Sequence, residues 1–272
     1  MTNIASASGC RNPTRFDLPD NVLPAGLHAW VFAAVDRTGR CFVSHHERAL
    51  QRQTPWSTFK LPHTLLALES GVIVDPDTRI ARDAQTWPIQ AHWPSSWARS
   101  HTLRSAFRHS VVWFFGSLVQ PIGGDTYRHW LDRTGYGNGV ANVPSGTFWL
   151  DGSLTISPLE QVAFLRCLAV SGCGFSARSL EVFESIAGRH ALNGSRVFAK
   201  TGSGPVQAGD FKGAFEGWYV GYVRNAQGRW TTAFALFLEA DSFATINKIR
   251  KPLTGELLSR LGLWDADAAA FP

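Results

Sequence analysis

The sequence has few cysteines and no metal-binding pattern. Its four cysteines, Cys10, Cys41, Cys167 and Cys173, form no CxxC pair, so a structural zinc site is not expected. Two pairings, Cys10 with Cys41 and Cys167 with Cys173, stay open in an oxidising compartment because connectivity does not follow from sequence. The histidines lack an HExxH spacing, which disfavours metal-dependent hydrolysis. Surface positions or local hydrogen bonds are predicted for His63, His109, His129 and His190.

Long apolar runs and clusters of basic residues are also missing. The longest apolar stretches are short, such as residues 111–115, whereas a membrane span needs ~20 residues. No membrane span is therefore predicted, and no secretory signal is visible in residues 1–10. Lys and Arg number 26 against 21 Asp and Glu, but they are scattered singly. That pattern disfavours nucleic-acid binding and is compatible with small anionic ligands.

The chain is rich in apolar and aromatic residues. Hydrophobic residues make up 44% of its 272 positions, with 11 Trp and 18 Phe, which is too much apolar mass for a disordered chain. Helical apolar spacing predicts four helices. The first begins after Thr54-Pro55 and carries the apolar positions of residues 61–72, the second covers 103–118, the third opens at 158, and the last carries those of residues 246–261. Ser157 is the predicted N-cap of the third helix, and Pro62 is expected to tighten the first turns of the first. Strands are predicted at residues 30–35, 41–44, 196–200, 218–223 and 230–238.

This order of elements predicts an α+β fold in one domain over residues 1–272. Parts 25–50 and 195–265 are expected to build one antiparallel sheet that is flanked by helices. An all-helical subdomain, about residues 62–190, is expected to be inserted between them.

A hydroxyl and an amine lie three residues apart where the first helix begins. Ser57 and Lys60, in Ser57-Thr58-Phe59-Lys60, share a helix face at that spacing. Serine becomes a nucleophile only with a base beside it, and lysine can be that base when burial lowers its pKa. Because SxxK is short enough to arise by chance, an ordinary surface helix is the alternative interpretation.

Further motifs follow SxxK along the chain. They are Ser110-Val111-Val112, Tyr136-Gly137-Asn138, Phe148-Trp149-Leu150-Asp151-Gly152, Lys200-Thr201-Gly202 and Gly217-Trp218-Tyr219-Val220-Gly221. In this order they resemble the class D, oxacillinase-type, serine β-lactamases of the penicillin-recognising enzymes. The resemblance covers roughly residues 28–263, and it implies a β-lactamase/transpeptidase-like fold.

The resemblance also implies a role for each motif. The implied catalytic residues are Ser57, Lys60, Ser110, Trp149 and Lys200, and the implied substrate-binding residues are Val112, Leu150, Thr201, Gly202 and Arg250. Lys60 is expected to carry carbon dioxide as N6-carboxylysine in a pocket of Phe59, Val112 and Trp149, so that carbon dioxide or bicarbonate is required but no other cofactor or metal. The second oxyanion donor, besides the N–H of Ser57, is expected from a strand shortly after Lys200-Thr201-Gly202, at residues 211–213 or later, without an assigned residue.

Two of these motifs also have plainer interpretations, and two residues depart from the family pattern. The Ser110 hydroxyl can bond back to the preceding turn of an apolar helix, and Tyr136-Gly137-Asn138 is a turn signal whose role is architectural as readily as catalytic. Trp56 stands where many relatives have a small residue and is expected to crowd the pocket or the start of the helix. Asp151 replaces the commoner glutamate of the family.

The leading functional hypothesis is hydrolysis of a small-molecule β-lactam through a serine ester. The alternative is a β-lactam sensor or penicillin-binding domain that is acylated without rapid turnover, and a third is a cell-wall transpeptidase. Val112, where sensors and penicillin-binding proteins usually have Asn, favours the hydrolase. The resemblance implies a periplasmic or secreted protein, whereas neither the β-lactam spectrum nor an oligomeric state is indicated by the sequence.

Overall fold

A seven-stranded sheet forms the centre of the molecule. The computed structural model describes Cys10, residues 12–18 and residues 23–272. The prediction that residues 1–10 contain no visible secretory signal therefore falls almost entirely outside the described residues. The strands are β1 (Thr14–Arg15), β2 (Leu27–Asp36), β3 (Cys41–Val43), β4 (Gly188–His190), β5 (Arg196–Pro205), β6 (Phe215–Arg224) and β7 (Trp230–Ala240). Their order is β1-β3-β2-β7-β6-β5-β4.

The two ends of the chain build this sheet together. Strand β2 pairs antiparallel with β7, from Ala29 opposite Glu239 to Asp36 opposite Thr232. All other neighbours are antiparallel except β1 and β3. The predicted α+β fold is confirmed, with two short strands as additions. They are the parallel β1 and, at the end of the insert expected to be all-helical, β4.

Eight α-helices lie within the described residues, seven of them between β3 and β4. They are α1 (His46–Leu50), α2 (Lys60–Glu69), α3 (Leu103–Arg108), α4 (Val112–Ile122), α5 (Gly124–Thr134), α6 (Pro158–Ser171), α7 (Ala177–Ala187) and α8 (Phe243–Arg260). Disulfides join Cys10 to Cys41 and Cys167 to Cys173. Of the described helices, none is long and apolar enough to cross a membrane.

Both faces of the sheet are covered. Val31, Ala33 and Val35 of β2 pack in the core beneath the helices of the insert, whereas Phe32 and Ala34 pack in a second core beneath α8. A strand that is buried on both faces reads as a continuous apolar run, which is why β2 shows no polar alternation.

The single helix predicted over residues 103–118 is wrong: the chain forms α3 and α4, with a break between them. Ser110 lies in this break with a φ of 54°, a left-handed conformation that no α-helix accommodates. The apolar spacing continues across the break because both helices bury side chains in one core, among them Phe107 and Phe114. The apolar spacing therefore indicates that these residues share one core, but it does not show whether one continuous helix carries them.

The other helix starts agree with the sequence. Ser157 caps α6: its side chain accepts from the N–H of Glu160, and the Glu160 carboxylate accepts from the N–H of Ser157. A 3₁₀ turn, Trp56–Phe59, precedes α2, as the position of Pro62 in its first turns predicts.

Replacement of Glu160 by alanine should destabilise the fold by about 2–3 kcal/mol. The buried Glu160 carboxylate both caps α6 and accepts three hydrogen bonds from Arg52, and the loss of a cap and of a charged partner each costs on the order of 1 kcal/mol or more. Urea unfolding measures the change. Glu181→Ala, at an exposed position of α7, is the matched control and should change stability by less than about 0.5 kcal/mol; equal effects of the two substitutions would contradict the assignment.

Candidate active site

Ser57 and Lys60 meet where the 3₁₀ turn joins α2. Lys60 Nζ donates to Ser57 Oγ across 2.8 Å. Ser57 is partly exposed while Lys60 is completely buried. The SxxK spacing therefore brings the hydroxyl and the amine together at the boundary between the core and solvent.

Aromatic rings surround the amine of Lys60. Its Nζ lies 5.4 Å from the ring centroid of Phe115 and 5.9 Å from that of Trp149, and Phe59 stacks on Trp149. Burial away from water lowers the pKa of Lys60 from 10.5 to about 7 because it disfavours the charged form. A substantial fraction of Lys60 is consequently neutral at neutral pH.

Sequence reasoning missed two members of this aromatic shell. Phe115 lies one turn after Val112 on α4, and His63 lies one turn after Lys60 on α2; helical spacing from a motif residue is the signal that could have found them. His63 is completely buried, and its Nε2 lies 2.7 Å from the Tyr127 hydroxyl. Burial, and then the nearby charge of Lys60, hold the pKa of His63 well below its usual value.

The indole N–H of Trp149 is buried beside Lys60. Its Nε1 meets no hydrogen-bond acceptor among the described residues. A buried donor without an acceptor costs on the order of 1–3 kcal/mol, and such atoms are rare in folded proteins. The indole N–H groups of Trp130, Trp230 and Trp264 are also unpartnered within the described part of the chain, but of these four rings it is that of Trp149 that lies over the Lys60 amine.

A second buried lysine lies on β5. Lys200 Nζ donates to Ser110 Oγ and, at 3.0 Å, to the carbonyl of Thr201. Burial lowers the pKa of Lys200 well below its usual value, with further lowering by the positive charges of Lys60 and Arg250. Because Ser110 lies outside a helix, its hydroxyl reaches Lys200, and the predicted back-bond to a helical turn is wrong.

Arg250 approaches the same strand from α8. Its guanidinium donates to Ser203 Oγ at 2.7 Å and to the carbonyl of Gly202 at 3.4 Å. It is nearly buried, and burial lowers its pKa to about 10. The described residues provide it with no carboxylate partner. The positive charge of Arg250 beside Gly202 is therefore not neutralised by a described acidic side chain.

Gly202 allows β5 to contact the nucleophile turn. A Cβ built on this glycine would lie 2.8 Å from the carbonyl oxygen of Pro55 and 3.1 Å from Thr58. Because real Cβ atoms do not come so near a backbone oxygen, any side chain here would push the strand away from Ser57. Within the described sheet β5 pairs with β4 only as far as Phe198, so its remaining edge is not covered by a strand.

The oxyanion prediction is wrong for residues 211–213, the first positions it names. Strand β5 ends at Pro205, and the segment lies in the loop before β6. The N–H groups of Lys212 and Gly213 both donate to the Asp210 carboxylate. These donors close a turn and are not available to a substrate.

The remaining sequence-predicted residues frame the site. Val112 begins α4, and Leu150 follows Trp149; both are half-buried. Asn138 donates to the carbonyl of Ser153 at 2.7 Å, and a Cβ on Gly137 would overlap the carbonyl of Thr155. These contacts favour the architectural interpretation of the Tyr136-Gly137-Asn138 motif.

Similarity to known proteins covers most of the chain. A family model described as the penicillin binding protein transpeptidase domain matches residues 33–173. Over 222 residues the chain is 32% identical to the probable β-lactamase YbxI of Bacillus subtilis, covering 82% of this chain and 76% of that protein.

Two solved structures resemble the fold closely. A class D β-lactamase from Bacillus subtilis has a TM-score of 0.73 at 30% identity, with 88% of this chain and 93% of that chain covered. The C-terminal domain of the Bacillus licheniformis BlaR penicillin-receptor has a TM-score of 0.75 at 29% identity, with 86% and 91% covered. The likeness therefore extends to a hydrolase and to a receptor domain.

The pKa of Lys60 predicts a pH dependence of stability. Above about pH 7 the folded protein has released the Lys60 proton, while the unfolded chain keeps it to about pH 10.5; the unfolded state then binds more protons, so stability rises with pH in that window. Replacement of Lys60 by methionine should lower this slope by about 1 kcal/mol per pH unit. Urea unfolding in buffers purged of carbon dioxide measures it. Lys248→Met, at an exposed position of α8, should keep the parent slope, and parallel curves for the parent and Lys60→Met would contradict the assigned burial.

Proposed function

This chain belongs to the class D serine β-lactamases, and we propose that it hydrolyses β-lactam antibiotics through an ester on Ser57. One observation carries the proposal: the buried amine of Lys60 lies 2.8 Å from the Ser57 hydroxyl, with its pKa lowered to about 7. A neutral amine at that distance is placed to accept the hydroxyl proton.

Acylation then follows from the positions of the two hydroxyls. Ser57 Oγ attacks the lactam carbonyl, the carbon–nitrogen bond of the ring breaks, and the serine proton passes to Lys60. Ser110 donates its proton to the departing ring nitrogen and takes one from Lys200, whose Nζ donates a hydrogen bond to the Ser110 hydroxyl. The N–H of Ser57 and an N–H from the uncovered edge of β5 near Gly202 stabilise the carbonyl oxygen as it becomes negative.

Substrate recognition rests on the cations beside β5. β-Lactam antibiotics carry a carboxylate next to the lactam nitrogen, and Lys200, Thr201 and Arg250 form a polar cradle for it. Charge-assisted hydrogen bonds of this kind fix the orientation of a substrate. Val112 and Leu150, at the borders of the site, are proposed to contact its apolar parts.

The surroundings of Lys60 also fit a carboxylated lysine. A neutral amine reacts with carbon dioxide, and the unpartnered Trp149 N–H would hold an oxygen of the resulting group. When present, that group supplies a general base for the attack of water on the ester. Phe59 and Phe115 keep this side of the pocket apolar, which maintains the neutral amine that the modification requires.

The chief alternative is a receptor that stays acylated. The similarity to the BlaR receptor domain nearly equals that to the class D enzyme, so hydrolysis of the ester is what separates the two functions. The unpartnered Trp149 N–H favours turnover, because it provides a donor for the deacylating base. An exported location accords with both functions and with two disulfides.

Brief exposure to benzylpenicillin should add one penicillin mass to the protein at Ser57, and the adduct should then disappear with time. Intact-protein mass spectrometry with peptide mapping measures both events. Ser57→Ala should acquire no adduct, because the nucleophile is gone. A stable adduct would instead identify a receptor, and labelling of Ser57→Ala would overturn the assigned nucleophile.

Replacement of Trp149 by phenylalanine should slow deacylation at least about tenfold, while acylation changes less. The reason is that the lost N–H contributes on the order of 1.4 kcal/mol or more to holding the base. Added bicarbonate should partly restore the deacylation rate. Trp130→Phe is the matched control: Trp130 Nε1 is equally buried and unpartnered but packs against Tyr136 and Phe164. Burst and steady-state rates of nitrocefin hydrolysis separate the two steps. Equal deacylation rates in both variants would remove Trp149 from the mechanism.

A further inference from the structure

A cavity of about 120 Å³ adjoins the proposed carboxylate cradle. It shares Lys200 and Thr201 with the cradle and continues past them, whereas Ser57, Ser110 and Trp149 do not line it. Among the described residues, the charged side chains in its wall are those of Arg108, Arg189, Lys200 and Lys251, and no Asp or Glu lines it. Pro272 also lines the cavity, and one of its oxygens accepts from the Tyr219 hydroxyl. The cavity is therefore a cationic extension of the substrate site.

The four cations come from four different elements. Arg108 ends α3, Arg189 lies in β4, Lys200 in β5 and Lys251 in α8. None of them forms an ion pair with a carboxylate among the described residues. The fold thus brings like charges together, and none of the described Asp or Glu side chains lines the cavity beside them.

Some of these cations lower the pKa of their neighbours. Burial and then the charge of Arg108 lower the pKa of Arg189, and burial followed by Arg250 and Arg189 lowers that of Lys251. Lys251 Nζ also lies over the ring of Tyr219, 5.6 Å from its centroid, which keeps the ammonium at the cavity wall. An anion placed here would relieve the repulsion among all four groups.

We propose that this cavity is a subsite for a second anionic group of the substrate, next to the ring carboxylate. The proposal rests on the proposed function, since Lys200 and Thr201 orient the substrate. In cephalosporins the substituent at C3 is adjacent to the ring carboxylate at C4. An acidic substituent at C3 can therefore enter the cavity while the ring carboxylate occupies the cradle, and a neutral substituent gains no charge interaction there.

Ceftriaxone and cefotaxime form a matched pair of probes. They have the same acylamino side chain, and they differ at C3, where ceftriaxone has an acidic triazine and cefotaxime a neutral acetoxymethyl group. Competition of each drug with a fluorescent penicillin for Ser57 gives their relative acylation efficiencies. The measurement belongs at low salt, because screening weakens interactions between exposed charges.

The preference for ceftriaxone over cefotaxime should fall about threefold in Lys251→Ala and in Arg108→Ala, and about tenfold in the double variant, as expected for charges at the edge of a site. Lys248→Ala removes a lysine from the same helix that does not line the cavity, and it should leave the preference unchanged.

Two failures can be told apart. The subsite alone would be overturned if the fluorescent penicillin labels the parent protein but the preference for ceftriaxone is the same in the parent, Lys251→Ala and Arg108→Ala. An equal fall of that preference in Lys248→Ala would have the same meaning. Absence of labelling in the parent would overturn the proposed function, and the subsite with it.

Discussion

The burial of the Lys60 amine beside Ser57 is the constraint on which the rest of the site depends. A charged amine in this position, with no carboxylate to pair with, would cost several kcal/mol of desolvation. A carboxylate partner would remove that cost but would also raise the pKa and keep the amine charged. The rings of Phe115 and Trp149 have an intermediate effect. They interact weakly with the charged form of Lys60, so its neutral form stays accessible.

The two buried lysines are electrostatically linked. The charge of Lys60 is among the causes that lower the pKa of Lys200, so protonation of one disfavours protonation of the other. Under the proposed function, the substrate carboxylate binds beside Lys200 and stabilises its charged form. That charge in turn favours neutral Lys60, which is the state that can accept the proton of Ser57. Binding of an anion would thus prepare the base before the chemistry begins.

The sequence predicted the parts of the fold that depend on local pattern. Apolar runs located five of the seven described strands, all but the short β1 and β4. Ser57 contacts Lys60, and Ser110 contacts Lys200, as the motif order implies. What it missed is not expressed in the spacing of apolar residues. The break at Ser110 does not interrupt the apolar spacing, because α3 and α4 bury side chains in one core. The hydrogen bonds from the loop N–H groups to Asp210 belong to a single turn, and apolar spacing does not predict them.

Trp56 shows how a departure from the family pattern can be absorbed by the fold. It directly precedes Ser57 with a φ of 50°, a conformation that costs a bulky residue on the order of 1 kcal/mol or more. Its ring lies against Gly204, where a Cβ would come within 2.2 Å of it, and its indole N–H donates to Glu216 at 2.9 Å. The ring is thus held against β5 and β6, as a brace for the turn that carries the nucleophile. The expected crowding falls on Gly204, which has no side chain to displace, so a small residue on the strand compensates for a large one on the turn.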